Sequence, residues 1–322
     1  MTKEKKGMAS RTKIGNISLG DLVLRYTSFL MAGSLIGIMA WIGVTMFRSA
    51  GESITKFGPG FITNRVWDPV REEFGALTFI YGTLVTSLIA LVIAGLIGVG
   101  VAIFLNEIAA PKIKVTVSFL VELLAAIPSV VYGLWGIFIL APLLRNHIEP
   151  WLGKWFGFLP IFQGTPSGLD MLAGGLILAI MILPTVAAIS REVIATVPIA
   201  QREAALALGA TKWEMIRIAV LPYAKSGILG GIMLGLGRAL GETMAVTMVI
   251  GNRPDILPSL FSPAYSMASV IANEFTEATY DLYLSALVEI GLILFAITFL
   301  LNALARLLVW SVARGPKGGH LH

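Results

Sequence analysis

Cysteine is absent from the 322 residues, and histidine is nearly so, with three. The first absence excludes disulfides and thiolate metal sites and leaves the redox compartment unreadable. The second leaves His147, His320 and His322, which offer no ligand cluster, the last two in a glycine-rich terminal stretch; no metal site is expected. Charge is scarce as well, at 13% of residues, where soluble domains usually carry about a quarter. Sequence signatures of catalysis are missing too. There is no G-x-x-x-x-G-K-[ST] phosphate loop, no H-E-x-x-H and no G-x-S-x-G, so the chain is not expected to bind ATP in that way or to carry a cofactor of its own.

What is present is apolar length. Apolar residues make up 56% of the chain and gather in runs of about 20 or more, which matches the hydrocarbon thickness of a bilayer. Short alternating strands of the kind a barrel needs are not seen, so an all-α membrane protein with six transmembrane helices is expected. The runs place these spans at about Tyr26 to Phe47, Leu77 to Leu105, Ser118 to Leu144 with Pro128 and Pro142 interrupting it, Met171 to Ile189 with Pro184 inside, Gly227 to Ile250, and Leu284 to Val312. The first run is too long for the core of a signal peptide and is read as an uncleaved helix. Residues 48–76 form a polar connection, and residues 145–170 form a loop rich in aromatics, glycine and proline. Residues 1–25 and 313–322 are tails, the former basic through Lys3, Lys5, Lys6, Arg11 and Lys13.

Positive charge orients the spans. Of the 24 Lys and Arg residues, 16 fall in the N-terminal tail, residues 106–117, residues 191–225 and the C-terminal end, against seven in the alternate loops. By the positive-inside tendency both termini and the 191–225 segment are cytoplasmic. This scatter over loops, with no stacking aromatics among the basic residues, also argues against nucleic acid as a partner despite a pI near 9.5.

The segment 203–222, EAALALGATKWEMIRIAVLP, is polar and lies between two apolar runs. Glu203, Ala204, Ala205, Ala207 and Leu208 favour helix, and Gly209 supplies the left-handed stop. A second helix starts at once, with Thr211 as cap and Glu214 three positions on to complete a capping box. Pro222 is expected to mark its exit. A short helical hairpin on the membrane surface follows, with Arg202, Lys212 and Arg217 around it.

One span carries a charge pair. In GGIMLGLGRALGETMAV, Gly231 and Gly235, and likewise Gly237 and Gly241, stand four apart, a spacing that lets helices pack closely. Arg238 and Glu242 are also four apart and are expected on one helical face. An Arg at the centre of a span costs about 2.5–3.5 kcal/mol on insertion scales, so something offsets it. Two accounts stay open: a structural ion pair, or an Arg238 that lines a water-filled pathway and favours an anion, with Glu242 orienting it and tempering its attraction. Glu122 and Glu289 are the other carboxylates in or near spans, and neither receives a role.

The hairpin resembles the EAA loop of ABC importer permeases, in which Glu-Ala-Ala, three residues, Gly, nine residues and Ile-x-Leu-Pro recur. Glu203, Ala204, Ala205, Gly209, Leu221 and Pro222 fall in place, while Ala219 stands where the pattern has Ile. YGTLVTSLIAL (Tyr81 to Leu91), ELLAAIPSVVYGLWG (Glu122 to Gly136), the Gly230 to Val246 run and ANEF (Ala272 to Phe275) resemble the permeases of phosphate-specific ABC importers. The likeness covers about residues 75–310. It implies the type I importer permease fold, with residues 77–312 as its core, a hairpin that seats on a separate ATPase, and alternating access. The implied partners are a second, A-type permease subunit, two ATPase subunits that use ATP and Mg, an extracytoplasmic phosphate-binding protein, phosphate and the lipid bilayer. Sulfate or molybdate permeases, an ion-coupled secondary transporter and a membrane scaffold or sensor are the alternatives.

Overall fold

The computed structural model describes residues 19–313; the basic residues up to Lys13, His320 and His322 lie outside them. The chain divides into two compact units, Met1–Thr45 and Met46–His322. Among the described residues six helices are long and apolar enough to cross a membrane. The part of α1 (Leu19–Ser49) that lies in the first unit exposes apolar side chains all round, Phe29, Met31, Leu35 and Trp41 among them, as a helix in lipid does.

In the second unit α2 (Leu77–Ile108), α4 (Ser129–Phe156), α5 (Met171–Ala195), α7 (Lys212–Leu240) and α10 (Asp281–Ala313) supply the other long helices. Shorter helices include α3 (Pro111–Ala126), α6 (Ile199–Ala207), α8 (Met244–Val249) and α9 (Met267–Glu274), and the connection after α1 holds two more, Gly51–Phe57 and Gly60–Thr63. The third span differs from expectation. Ile127 and Pro128 are extended (ψ 128° and 143°), so α3 ends there and the long apolar helix runs from Ser129 to Phe156. The residues 145–156 read as loop are therefore helical.

Proline explains both the break and the continuity. The residue before a proline is pushed out of the helical region, which ends α3 at Ile127. Pro142, Pro150 and Pro222 instead follow wide five-residue turns at Gly136–Leu140, Leu144–Ile148 and Ile216–Val220. Such turns relieve the clash of the ring with the preceding carbonyl, and the helix continues. Pro222 is thus no exit: the second arm of the hairpin runs on into the fifth span as one helix, α7.

The core centres on α5. Gly175 meets Ile89 of α2, where an added Cβ would lie 2.6 Å from the Ile89 Cγ2. Leu178, Ile182, Val186 and Ile194 of α5 are buried. At the end remote from the hairpin, the 50–76 connection packs Phe61 and Phe74 onto Phe79, Tyr265 and Tyr283, with Phe74 stacked on Tyr283 at 5.4 Å. The Glu274 carboxylate clips this cluster, accepting from Trp67 Nε1 and from the Tyr283 hydroxyl, each at 2.7 Å. Its neighbour Asn273 donates to the Tyr265 hydroxyl at 2.9 Å, so the ANEF run serves as a staple.

The start of α5 is fixed by a buried acid. Asp170 accepts the Ala173 amide at 2.9 Å as N-cap, while Glu149 of α4 accepts the Gly168 amide at 3.3 Å; both acids are fully buried. Burial, reinforced by the Glu149 carboxylate beside it, pushes Asp170 up to about 8. The folded chain then holds a proton that the unfolded chain, with Asp170 near 3.8, releases. Stability therefore falls as pH rises toward that value and levels off above it. Thermal unfolding in detergent from about pH 6 to 9 should show this slope, and Asp170→Asn should flatten it; an unchanged slope in the variant would assign the proton elsewhere.

Candidate functional site

Two places carry the residues singled out in sequence, and they lie at opposite ends of α7. The first is the hairpin. α6 ends in two bonds of a Schellman motif, Gly209 N–H to Leu206 O at 2.9 Å and Ala210 N–H to Ala205 O at 3.2 Å. That closure needs a left-handed residue at 209, and Gly209 has φ +87°. The Thr211 hydroxyl accepts the Glu214 amide at 3.3 Å, and the Glu214 carboxylate accepts the Thr211 amide at 2.8 Å, a complete capping box.

Below the turn the hairpin is nailed down by apolar side chains. Ala205, Met215, Ile216 and Val220 pack with Ala102 of α2 and Ile194 and Val197 at the end of α5. Above it Ile199, Leu208 and Trp213 are 69%, 89% and 62% exposed. Glu203 and Ala204 are exposed too, and Leu221 and Pro222 lie on α7. An apolar tip raised on a fixed base is a surface made to be covered.

The second place is the far end of α7. The fifth span does not run unbroken to Ile250: α7 stops at Leu240, residues 241–243 are not helical, and α8 begins at Met244. Arg238 is in the last turn of α7 and Glu242 lies beyond it, so the two do not share a helical face. Glu242 accepts the Ala245 amide at 3.3 Å and so fixes the start of α8. Arg238 is exposed and directs Nη1 to the Thr185 hydroxyl of α5 at 3.5 Å. Among the described residues no ion pair includes it. The polar backbone at 241–243 is tolerated at membrane depth only where protein or water covers it.

The glycines divide in the same way. Gly231 and Gly235 face α5, where an added Cβ would come within 3.0 Å of Ile189 and of Val186. Gly237 faces Asn302 of α10, whose Oδ1 would lie 3.6 Å from an added Cβ, and Gly241 falls in the break. Glu122 pairs with Arg191 at 3.4 Å, at the hairpin end, and Glu289 is buried on α10. Sequence reasoning missed Thr185, Glu107 and Asp170; Thr185 stands next to Pro184, the one signal that could have drawn notice to it.

Long apolar helices with an exposed hairpin at one end of α7 and a charged helix break at the other suit a transport permease. Residues 96–314 match the family model described as binding-protein-dependent transport system inner membrane component, and the chain belongs to that family, as a multi-pass inner membrane subunit. It is 45% identical over 303 residues to the phosphate transport system permease protein PstC of Mesorhizobium japonicum, covering 93% of both chains. It is 47% identical over 298 residues to PstC of Pasteurella multocida, covering 91% of this chain and 93% of that protein. In fold it is similar to a chain of a bacterial alginate ABC transporter crystallised with an alginate pentasaccharide-bound periplasmic protein (TM-score 0.56, 15% identity, 93% of this chain and 99% of that one).

Thr211→Ala should loosen the second arm of the hairpin by about 1 kcal/mol, the usual worth of such a cap. Hydrogen exchange at the Glu214 amide should accelerate accordingly, whereas unchanged exchange would mean that the α7 helix holds its own first turn without the box.

Proposed function

We propose that this chain is the permease subunit of an ATP-driven importer of inorganic phosphate and forms the translocation pathway with a second, A-type permease subunit. The observation that carries the reading is the identity of 45–47% to phosphate transport permeases over more than nine-tenths of the chain. The hairpin, facing the cytoplasm with both termini, seats on one of two ATPase subunits, which hold ATP and Mg. Its exposed Ile199, Leu208 and Trp213 supply apolar contact area. Phosphate arrives from an extracytoplasmic binding protein at the opposite face. The lipid bilayer surrounds the assembly, and nucleic acid has no part in it.

Arg238 favours the anion along the path. Its guanidinium presents several N–H donors in a fixed fork suited to an oxyanion, and Thr185 engages one of them at 3.5 Å. Glu242 sits four residues on and keeps a negative charge near, which tempers the site so that a bound anion leaves. No proton or covalent step is required of the chain, since its task is binding and release in two alternating orientations.

Vesicles carrying this chain with its A-type partner, ATPase and binding protein should take up labelled phosphate only when ATP is supplied to the ATPase. Uptake of sulfate instead would keep the mechanism and change the substrate; no uptake of either from a verified assembly would sink the importer reading. Glu203→Lys and Gly209→Asp should abolish uptake while the protein remains in the membrane, the second because φ +87° tolerates a side chain poorly. Arg238→Gln should impair uptake with the ATPase still bound, and loss of assembly in that variant would make Arg238 a structural residue.

A further inference from the structure

Arg202 immediately precedes the Glu-Ala-Ala run, and its side chain points away from the exposed tip, back into the protein. Its Nη2 and Nε reach one carboxylate oxygen of Glu107, Oε1, at 2.9 and 3.2 Å. The same Nη2 donates to the Ile194 carbonyl at 2.9 Å, and Nη1 donates to the Val197 carbonyl. Glu107 is in the last turn of α2, Ile194 is in the last turn of α5, and Val197 follows just past its end. The pair is mostly buried, with 18% of the Arg202 side chain and 6% of the Glu107 side chain exposed.

One guanidinium therefore joins three elements: the hairpin, the end of α5 and the end of α2. The Ile194 carbonyl lies in the last turn of α5 and the Val197 carbonyl just past its end, where a cation is favoured by the helix dipole. A second tie lies beside it, Asn106 Nδ2 to the Arg191 carbonyl at 2.7 Å. The apolar contacts of Ala205, Ile216 and Ala102 resist compression of the hairpin against the spans, but they resist sliding weakly because they are not directional. The fork of Arg202 supplies direction.

We infer that Arg202 and Glu107 are positioning residues for energy coupling: they form a strut that makes the ends of α2 and α5 follow the hairpin when the ATPase moves it. Without the strut the hairpin stays docked and the ATPase continues to turn over, but less of that motion reaches the spans. The inference rests on the importer reading of the previous subsection, and it concerns residues that make no contact with the exposed docking tip.

The test uses the complete transporter in vesicles and measures phosphate imported per ATP hydrolysed, together with the amount of ATPase that co-purifies. Glu107→Gln keeps the shape and an acceptor oxygen while removing the charge; Arg202→Lys keeps the charge and loses the fork. Both should retain the ATPase and its hydrolysis, while phosphate per ATP falls about fivefold or more, the scale on which coupling between sites is lost. A ratio equal to that of the unaltered complex, or uptake and hydrolysis falling in step with the amount of complex, would overturn the strut. Failure of the unaltered complex to import phosphate with ATP would instead overturn the importer reading. If Arg202→Lys does not assemble, Glu107→Gln decides, because it leaves the three Arg202 elements within reach of one another.

Discussion

Everything in the second unit is arranged around the burial of α5. About two-thirds of its apolar stretch is enclosed by protein, against about a third or less for α2, α4, α7 and α10. In lipid, apolar surface gains nothing by leaving one hydrocarbon for another, so close contact has to hold helices together. Small residues make that contact here: Gly175 of α5 admits Ile89 of α2, and Gly231 and Gly235 of α7 admit Ile189 and Val186 of α5. Both ends of this buried helix are then tied by polar groups, Asp170 at the start and Arg202 just past the end. A fixed central helix gives the hairpin a base and Arg238 a partner in Thr185.

The parts legible in sequence were those set by local chemistry. Six apolar runs foretold the six long helices found among the described residues, though not their limits, and Gly209, Thr211 and Glu214 built the turn that their types and spacing imply, because a cap needs only residues within one turn of each other. Hydropathy was a poorer guide to limits. It could not separate α3, which is apolar yet ends at Ile127, from the span that begins at Ser129, since both contribute to one run. Nor did it show that the glycine-rich Gly241 marks a break, because a spacing of four between Arg238 and Glu242 presumes the helix it was used to describe. The status of Pro222 turned on a wide turn at Ile216–Val220, a backbone adjustment that leaves no composition signal. Pairs such as Arg202 with Glu107, 95 residues apart, and Glu149 with Asp170 were invisible for the plain reason that chain distance does not encode spatial distance.

Function followed the same division. The exposed apolar tip of the hairpin and the exposed Arg238 beside a broken helix are features that the chain displays by itself. The substrate came from kinship with phosphate permeases, since tetrahedral oxyanions present much the same hydrogen-bonding outline to a guanidinium.

The absorption of the second hairpin arm into the fifth span has a mechanical meaning. Lys212 and Arg238 sit on one helix, 26 positions apart, a distance of about 39 Å at 1.5 Å per residue. A rod of that length is a lever. Tilting it by about five degrees about the hairpin end carries the guanidinium sideways by about 3 Å, close to the length of one hydrogen bond. The contact between Arg238 and Thr185 can thus be made or broken by a displacement too small to require any helix to unfold.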